Sequence, residues 1–162
     1  MPTRPSHMPR RLILATSLAL LAACGNESTP DEFVAKAEKQ FQATAYDAAT
    51  IELNNALQRD SQHKAARWLL AQTALATGDG PKAERDARRA LELGVPASEA
   101  VPVIVRAIML QRDFKRALTE AVNLPPDAPA AVRADLGALR GKIHLFSGDT
   151  QAADGEFAAA MT

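Results

Sequence analysis

Few residues in this chain are of a type and spacing that can do chemistry. Cys24 is its single cysteine, so an intramolecular disulfide and a thiolate metal cluster are both excluded. That leaves a buried thiol, a nucleophile or a point of attachment. The three histidines, His7, His63 and His144, lie far apart. No second histidine or carboxylate sits at a helical offset from His63 or His144, so each reads as a solvated or packing residue rather than a ligand or base. Ser147 follows His144 by three residues, one helical turn, but no acid is placed to orient the imidazole and the pattern fits a helix end. The carboxylate pairs Asp31/Glu32 and Asp154/Glu156 fit N-terminal turns and a solvated face. No catalytic residue, metal ligand or cofactor is expected, and no small-molecule substrate.

The 162 positions are one domain's worth of chain, enough for a sizeable core. Apolar residues make up 47% and aromatics only 4%. A composition led by alanine and leucine favours helices packed through small side chains over a β-sandwich. Formal charge is zero, but Arg4, Arg10 and Arg11 precede the first acid, Glu27, so the remainder is net negative. No basic stripe offers phosphate contacts, which excludes a nucleic-acid binder.

Arg10 and Arg11 precede "LILATSLALLAA", Leu12 to Ala23, an uncharged segment. At its length a helix spans about 18 Å, against a hydrocarbon core of about 30 Å. This is too short for a transmembrane helix and right for the apolar part of a signal peptide; Met8 offers a second, more compact start. Leu21-Ala22-Ala23-Cys24 then resembles the lipobox of bacterial lipoproteins. The resemblance implies cleavage before Cys24, with a diacylglyceryl thioether on its sulfur and an acylated new N-terminus. Three acyl chains, at ~0.8 kcal/mol per buried methylene, would anchor the chain in effect permanently. Gly25 rather than Asp after the cysteine implies an outer-membrane lipoprotein facing the periplasm of a Gram-negative envelope. Residues 1–23 are thus expected to be a signal peptide and 24–29 a lipidated cysteine with a short tether.

Thr29-Pro30-Asp31-Glu32 opens the first helix: Thr29 and Glu32 can form a capping box, and Pro30 fits the first helical position. The sequence then repeats itself. "YDAATIELNNALQRDS" (46–61), "GPKAERDARRALELGV" (80–95), "FKRALTEAVNLPPDAP" (114–129) and "TQAADGEFAAAMT" (150–162) align with Ala49, Ala83, Ala117 and Ala153 in one column, at spacings of 34, 34 and 36. Seven residues on stand Ala56, Ala90, Leu124 and Ala160. Small residues at this period predict stacked helix–turn–helix units, the small side chains sitting where helices approach most closely. First helices are expected within 31–44, 63–77, 98–111 and 130–147. "TGDG" and "SGDT" supply glycines able to take φ > 0, each followed by an aspartate that can cap the next helix. Prolines in "LGVP" and "LPPDAP" separate units.

These columns resemble the tetratricopeptide repeat (TPR) family over residues 30–162. The implied fold class is all-α, a right-handed α-solenoid of antiparallel helix pairs, with repeats at 30–62, 63–97, 98–129 and 130–162, the last incomplete or uncapped. Leu70, Gly78, Ala83, Ala90 and Pro96 match the family pattern, and Gly141 keeps its small position. Arg67, Gln40 and Ala74 depart from it at positions for large residues, and Trp68 sits one place late. The lipobox leader, the near-absent linker and the stretches "AATIELNNALQRDS", "ARWLLAQTALATGD", "RALELGVPASEAVPVIVRAI" and "LRGKIHLFSGD" together resemble the N-terminal part of the PEP-CTERM/exosortase-system TPR-repeat lipoproteins. That family is longer, and its members are encoded with exopolysaccharide and protein-sorting machinery. Thr162 falls at the second helix of the last unit with no capping helix, so further repeats or a partner are expected to cover it.

In TPR stacks the first helices line a concave groove. The corresponding position of each repeat here holds Glu38, Gln72, Arg106 and Lys142, a polar ladder on a face otherwise carrying Val34, Leu75, Met109 and Leu145. It reads either a partner's backbone and charges or forms a solvated wall. Trp68 is either a groove anchor or a displaced core residue. The lysine and asparagine set by which chaperone-type TPRs clamp a C-terminal carboxylate is absent. The expected function is a lipid-anchored scaffold that binds envelope proteins through the groove, in exopolysaccharide or exosortase-linked sorting. The alternative is a TPR lipoprotein that assists pilus, secretin or outer-membrane protein assembly.

Overall fold

A computed structural model describes residues 28–125 and 127–161. Cys24 and the lipobox residues Leu21, Ala22 and Ala23 lie outside them. The described chain is all-helical: α1 (Pro30–Gln42), α2 (Tyr46–Arg59), α3 (Lys64–Ala76), α4 (Gly80–Glu92), α5 (Ala97–Leu110), α6 (Phe114–Glu120), α7 (Ala130–Phe146) and α8 (Thr150–Ala160). Helices pair in order, α1 with α2, α3 with α4, α5 with α6 and α7 with α8, and each pair packs on the next. The architecture is a TPR-like α-solenoid.

Side-chain caps start five of the described helices, α1, α3, α4, α6 and α8. At α1 the Thr29 hydroxyl accepts from the Glu32 amide, and the Glu32 carboxylate accepts from the Thr29 amide, the reciprocal capping box. Asp79, Asp113 and Asp149 accept from the amides of Lys82, Arg116 and Ala152, capping α4, α6 and α8. His63 caps α3, its Nδ1 accepting from the Ala66 amide at 3.2 Å. That leaves Nε2 to carry the proton, which it donates to Asp31 of the first pair at 3.0 Å. His63 is therefore a cap that ties two units together.

The turns inside the pairs share one conformation. Thr44, Gly78, Arg112 and Gly148 all take positive φ, at 58°, 79°, 61° and 83°. Each follows its helix by the same offset and donates its amide back to that helix. Glycine enters this region freely; threonine and arginine do so against steric resistance.

Small residues mark the closest approaches. Ala49, Ala56, Ala83, Ala90, Ala117 and Ala153 are all fully buried. Ala160 is half-buried, but its Cβ lies 3.1 Å from where a side chain on Gly137 would begin. At Gly141 any Cβ would meet the Phe157 ring at 2.6 Å. Larger apolar side chains fill the rest: Leu53, Leu69 and Leu70 between the first two pairs, and Ile104, Ile108, Leu136 and Ile143 further along.

One element departs from the alignment. The third unit's second helix stops at Glu120, after seven residues, so Leu124 lies in a loop rather than in the helical column of Ala56 and Ala90. Pro125 follows it, and the residue before a proline is pushed out of the α region.

The first helices α1, α3, α5 and α7 each contact the next in line, whereas the backbones of α2, α4, α6 and α8 stay more than 8 Å apart, Cα to Cα, among the described residues. The stack therefore curves with the first helices on its inner side. Long charged side chains bridge the wider outer side. Glu84 of α4 accepts from Arg116 of α6 at 2.8 Å, and Arg88 of α4 donates to Glu120 of α6 at 2.8 Å.

Candidate functional site

The inner side carries an open cleft of about 620 Å³ shared by three successive first helices. Its apolar surface comes from Leu75 of α3, Met109 and Leu110 of α5, Phe114 of α6, and Leu139 and Phe146 of α7. Three cations complete the lining: Arg106, Arg112 and Lys142. Helical spacing explains the convergence. Arg106, Met109 and Leu110 are neighbours on one face of α5, as Leu139, Lys142 and Phe146 are on α7.

Of the polar ladder, Arg106 and Lys142 meet in this cleft; Glu38 is exposed on α1 and Gln72 half-buried on α3, both outside its lining. Arg106 is a strut as well as a wall. Its guanidinium donates to both carboxylate oxygens of Asp135 on α7, at 2.6 and 2.8 Å, and to the Pro102 carbonyl at 3.1 Å. Both bonds to Asp135 come from one nitrogen, Nη2, and this charge-assisted contact ties α5 to α7 and pairs the cation. Lys142 stands exposed with no side-chain partner among the described residues. Trp68 is partly buried and packs on the core cluster of α4, α5 and α7, outside the cleft lining.

One of the large-residue positions taken by a polar side chain, Arg67, also finds an account. Arg67 donates to Asp86, which is fully buried on α4, at 2.9 Å, and Arg85 donates to the same carboxylate at 2.8 Å. The core thus holds a paired carboxylate where the family pattern has an aromatic contact. Arg67 Nε and Gln40 Oε1 are buried without a hydrogen-bond partner.

Sequence inspection missed five cleft residues: Leu110, Arg112, Phe114, Leu139 and Phe146. The phenyl rings of Phe114 and Phe146 stack at 5.7 Å across the α6–α7 gap, and Phe146 remains 67% exposed. A signal for Arg112 existed, because it stands in the column of Gly78 and Gly148. The two rings gave none, since their meeting depends on how far α6 tilts toward α7.

Among the described residues, Ser147 and His144 do not assemble into a catalytic arrangement. Ser147 Oγ donates to the Ile143 carbonyl at 2.9 Å. His144 Nδ1 lies 3.8 Å from Asp149, beyond hydrogen-bond reach, and that carboxylate is already engaged in capping α8. Among the described residues no cluster of three or more histidine, cysteine or acidic side chains is placed to hold a metal ion. No described helix is long and apolar enough to cross a membrane.

Comparison with known proteins agrees with the fold. A solved structure from a functional characterisation of Pseudomonas aeruginosa pilF superposes with a TM-score of 0.66 over 82% of this chain, at 17% sequence identity. The chain spans 60% of the length of that protein. No protein-family model and no curated protein matches the chain. The likeness is one of fold alone.

Proposed function

We propose that this chain is a lipid-anchored TPR scaffold of the Gram-negative cell envelope, attached to the outer membrane through Cys24 and serving exopolysaccharide or exosortase-linked protein sorting. The observation that carries the scaffold reading is the cleft shared by α3, α5 and α7, open to a partner and lined by apolar side chains with cations among them. Supporting the anchor are the apolar segment after Arg10 and Arg11 and the residues Leu21-Ala22-Ala23-Cys24. Only Gly25 to Ser28 separate Cys24 from the cap of α1, a reach of at most about 17 Å of extended chain, so the first pair would lie close to the bilayer surface.

The anchor is tested by metabolic acyl labelling. Cys24→Ala is expected to give an uncleaved, unlabelled precursor; labelled membrane lipoprotein from that variant would refute it. The scaffold role is tested by crosslinking in intact envelopes and identifying what is captured. Components of exopolysaccharide export or protein sorting are expected. Pilus, secretin or outer-membrane assembly components would move the assignment to the alternative, which the pilF likeness, being one of fold, does not by itself favour.

A further inference from the structure

The turn between α5 and α6 bears on what the cleft accepts. Of the four equivalent turns, two place glycine in the left-handed region and two place a residue with a side chain there, Thr44 and Arg112. Arg112 is the one of these two that lines the cleft, and strain of this kind recurs where a side chain is held for function. Neither Arg112 nor Lys142 has a side-chain partner among the described residues, whereas Arg106 is engaged by Asp135. No carboxylate lines the cleft. Two unpaired cations over an apolar floor make a field that attracts carboxylates and repels bases. The cleft, at about 620 Å³, accommodates a few side chains rather than a folded face.

We propose that the cleft between α5 and α7 takes a protein segment carrying a large apolar side chain flanked by acidic residues. The apolar group seats on Met109, Leu139 and Phe146, and the carboxylates meet Arg112 and Lys142. This rests on the reading of the stack as a protein-binding scaffold and names the chemistry of its partner.

The test uses the full chain and three degenerate libraries of short peptides sharing a Phe-Leu centre, flanked by Asp/Glu, by Ser/Gln or by Lys/Arg. The acidic library is expected to bind more tightly than the neutral one by roughly two- to fivefold for each cation engaged. The basic library is expected to bind worst, and rising salt should narrow the spread. Arg112→Gly installs the residue used at 78 and 148, so it should raise the melting temperature while lowering acidic-peptide affinity. Lys142→Gln should lower affinity at unchanged melting temperature, and Thr44→Gly should raise the melting temperature with binding unchanged.

Equal binding of acidic and neutral libraries would overturn the inference and leave the scaffold reading standing, as would an acidic preference that survives in the Arg112→Gly, Lys142→Gln double variant. Self-association of the full chain that the double variant abolishes would overturn it by assigning the cleft to a second copy. Failure of every library to bind would overturn the inference and the groove-binding reading together.

Discussion

The second helix pair closes its internal turn with Gly78 and runs α4 for thirteen residues; the third closes its turn with Arg112 and stops α6 after seven. Packing differs accordingly. From α4, Ala83, Ala87 and Ala90 are buried with Glu84 and Asp86, whereas α6 buries Ala117 alone. Held by so little apolar surface, α6 depends on ion pairs from Arg116 and Glu120 to Glu84 and Arg88. The second pair is thus built for stability by close packing. The third has a full-length α5, a short α6 and a strained turn between them, and Arg112 of that turn lines the cleft beside Arg106, Met109 and Leu110 of α5. In a repeat stack, departures from the period are where one unit acquires properties its neighbours lack.

Placing arginine in the same alanine column of the two pairs is the sharpest way to break this comparison. Ala83→Arg forces a long charged side chain between α3 and α4 and is expected to cost at least about 3 kcal/mol, enough to lose the cooperative melt. Ala117→Arg should cost less, roughly 1–3 kcal/mol, because seven residues of α6 can detach while the α5 core stays packed. Circular dichroism melts with amide exchange would show global loss in the first and loss confined to α6 in the second. Equal global loss would mean that α6 is as integral as α4.

The bridges between α4 and α6 give a second contrast, with the more exposed Arg106–Asp135 pair. Burial works to raise the Glu84 pKa, but hydrogen bonds from Gln111 and Arg88 and the charges of Arg116 and Arg88 outweigh it and hold the carboxyl below its ordinary value of 4.5. The folded state therefore binds this proton less readily than the unfolded chain. The stability so gained is fully present above the ordinary value and is lost as pH falls through the lowered folded one. Glu84→Gln should cost about 1–2 kcal/mol near neutral pH, a deficit that shrinks to nothing in acid. Asp135→Asn, at a pair 38% exposed on both sides, should cost under about 1 kcal/mol. Urea titrations of the variants across pH 3 to 7 compare the two; a Glu84→Gln deficit that is independent of pH would remove the charge from the explanation.

How much of this was legible beforehand varies with the physics involved. The helix pairs were readable because small residues recur at a fixed period and aspartate and glycine punctuate the turns. The caps at Thr29, Asp79 and Asp149 follow from residues adjacent in sequence, so local chemistry sufficed. Shortening of α6 was half-legible: Pro125 and Pro126 were visible as a break, but the helix stops well before them, and no local residue dictates where. The cleft was legible in part. Arg106 and Lys142 lay on the expected inner face, but the Arg106–Asp135 ion pair joins residues 29 positions apart, and its partner is set by how α5 and α7 cross. His63 is a further case, a histidine whose role depends on Asp31 of the preceding unit, 32 positions away.

The smallest expected effect returns to the turns. Relieving left-handed strain at a residue with a side chain is worth about 1–2 kcal/mol, while the added freedom of glycine in the unfolded chain takes back about 0.4–1 kcal/mol. Thr44→Gly should therefore stabilise the chain by roughly 0.5–1 kcal/mol. Thr44 is exposed, and its amide bond to the Phe41 carbonyl is available to glycine equally. Gly78→Ala should be destabilising to a similar degree, though no neighbour crowds its Cβ position, because the backbone conformation alone opposes the methyl. Chemical denaturation of both variants would show opposite shifts of midpoint at a common slope. If Thr44→Gly instead lost stability, the threonine would be held there by a contact of its own, and strain at Arg112 would no longer single out that residue.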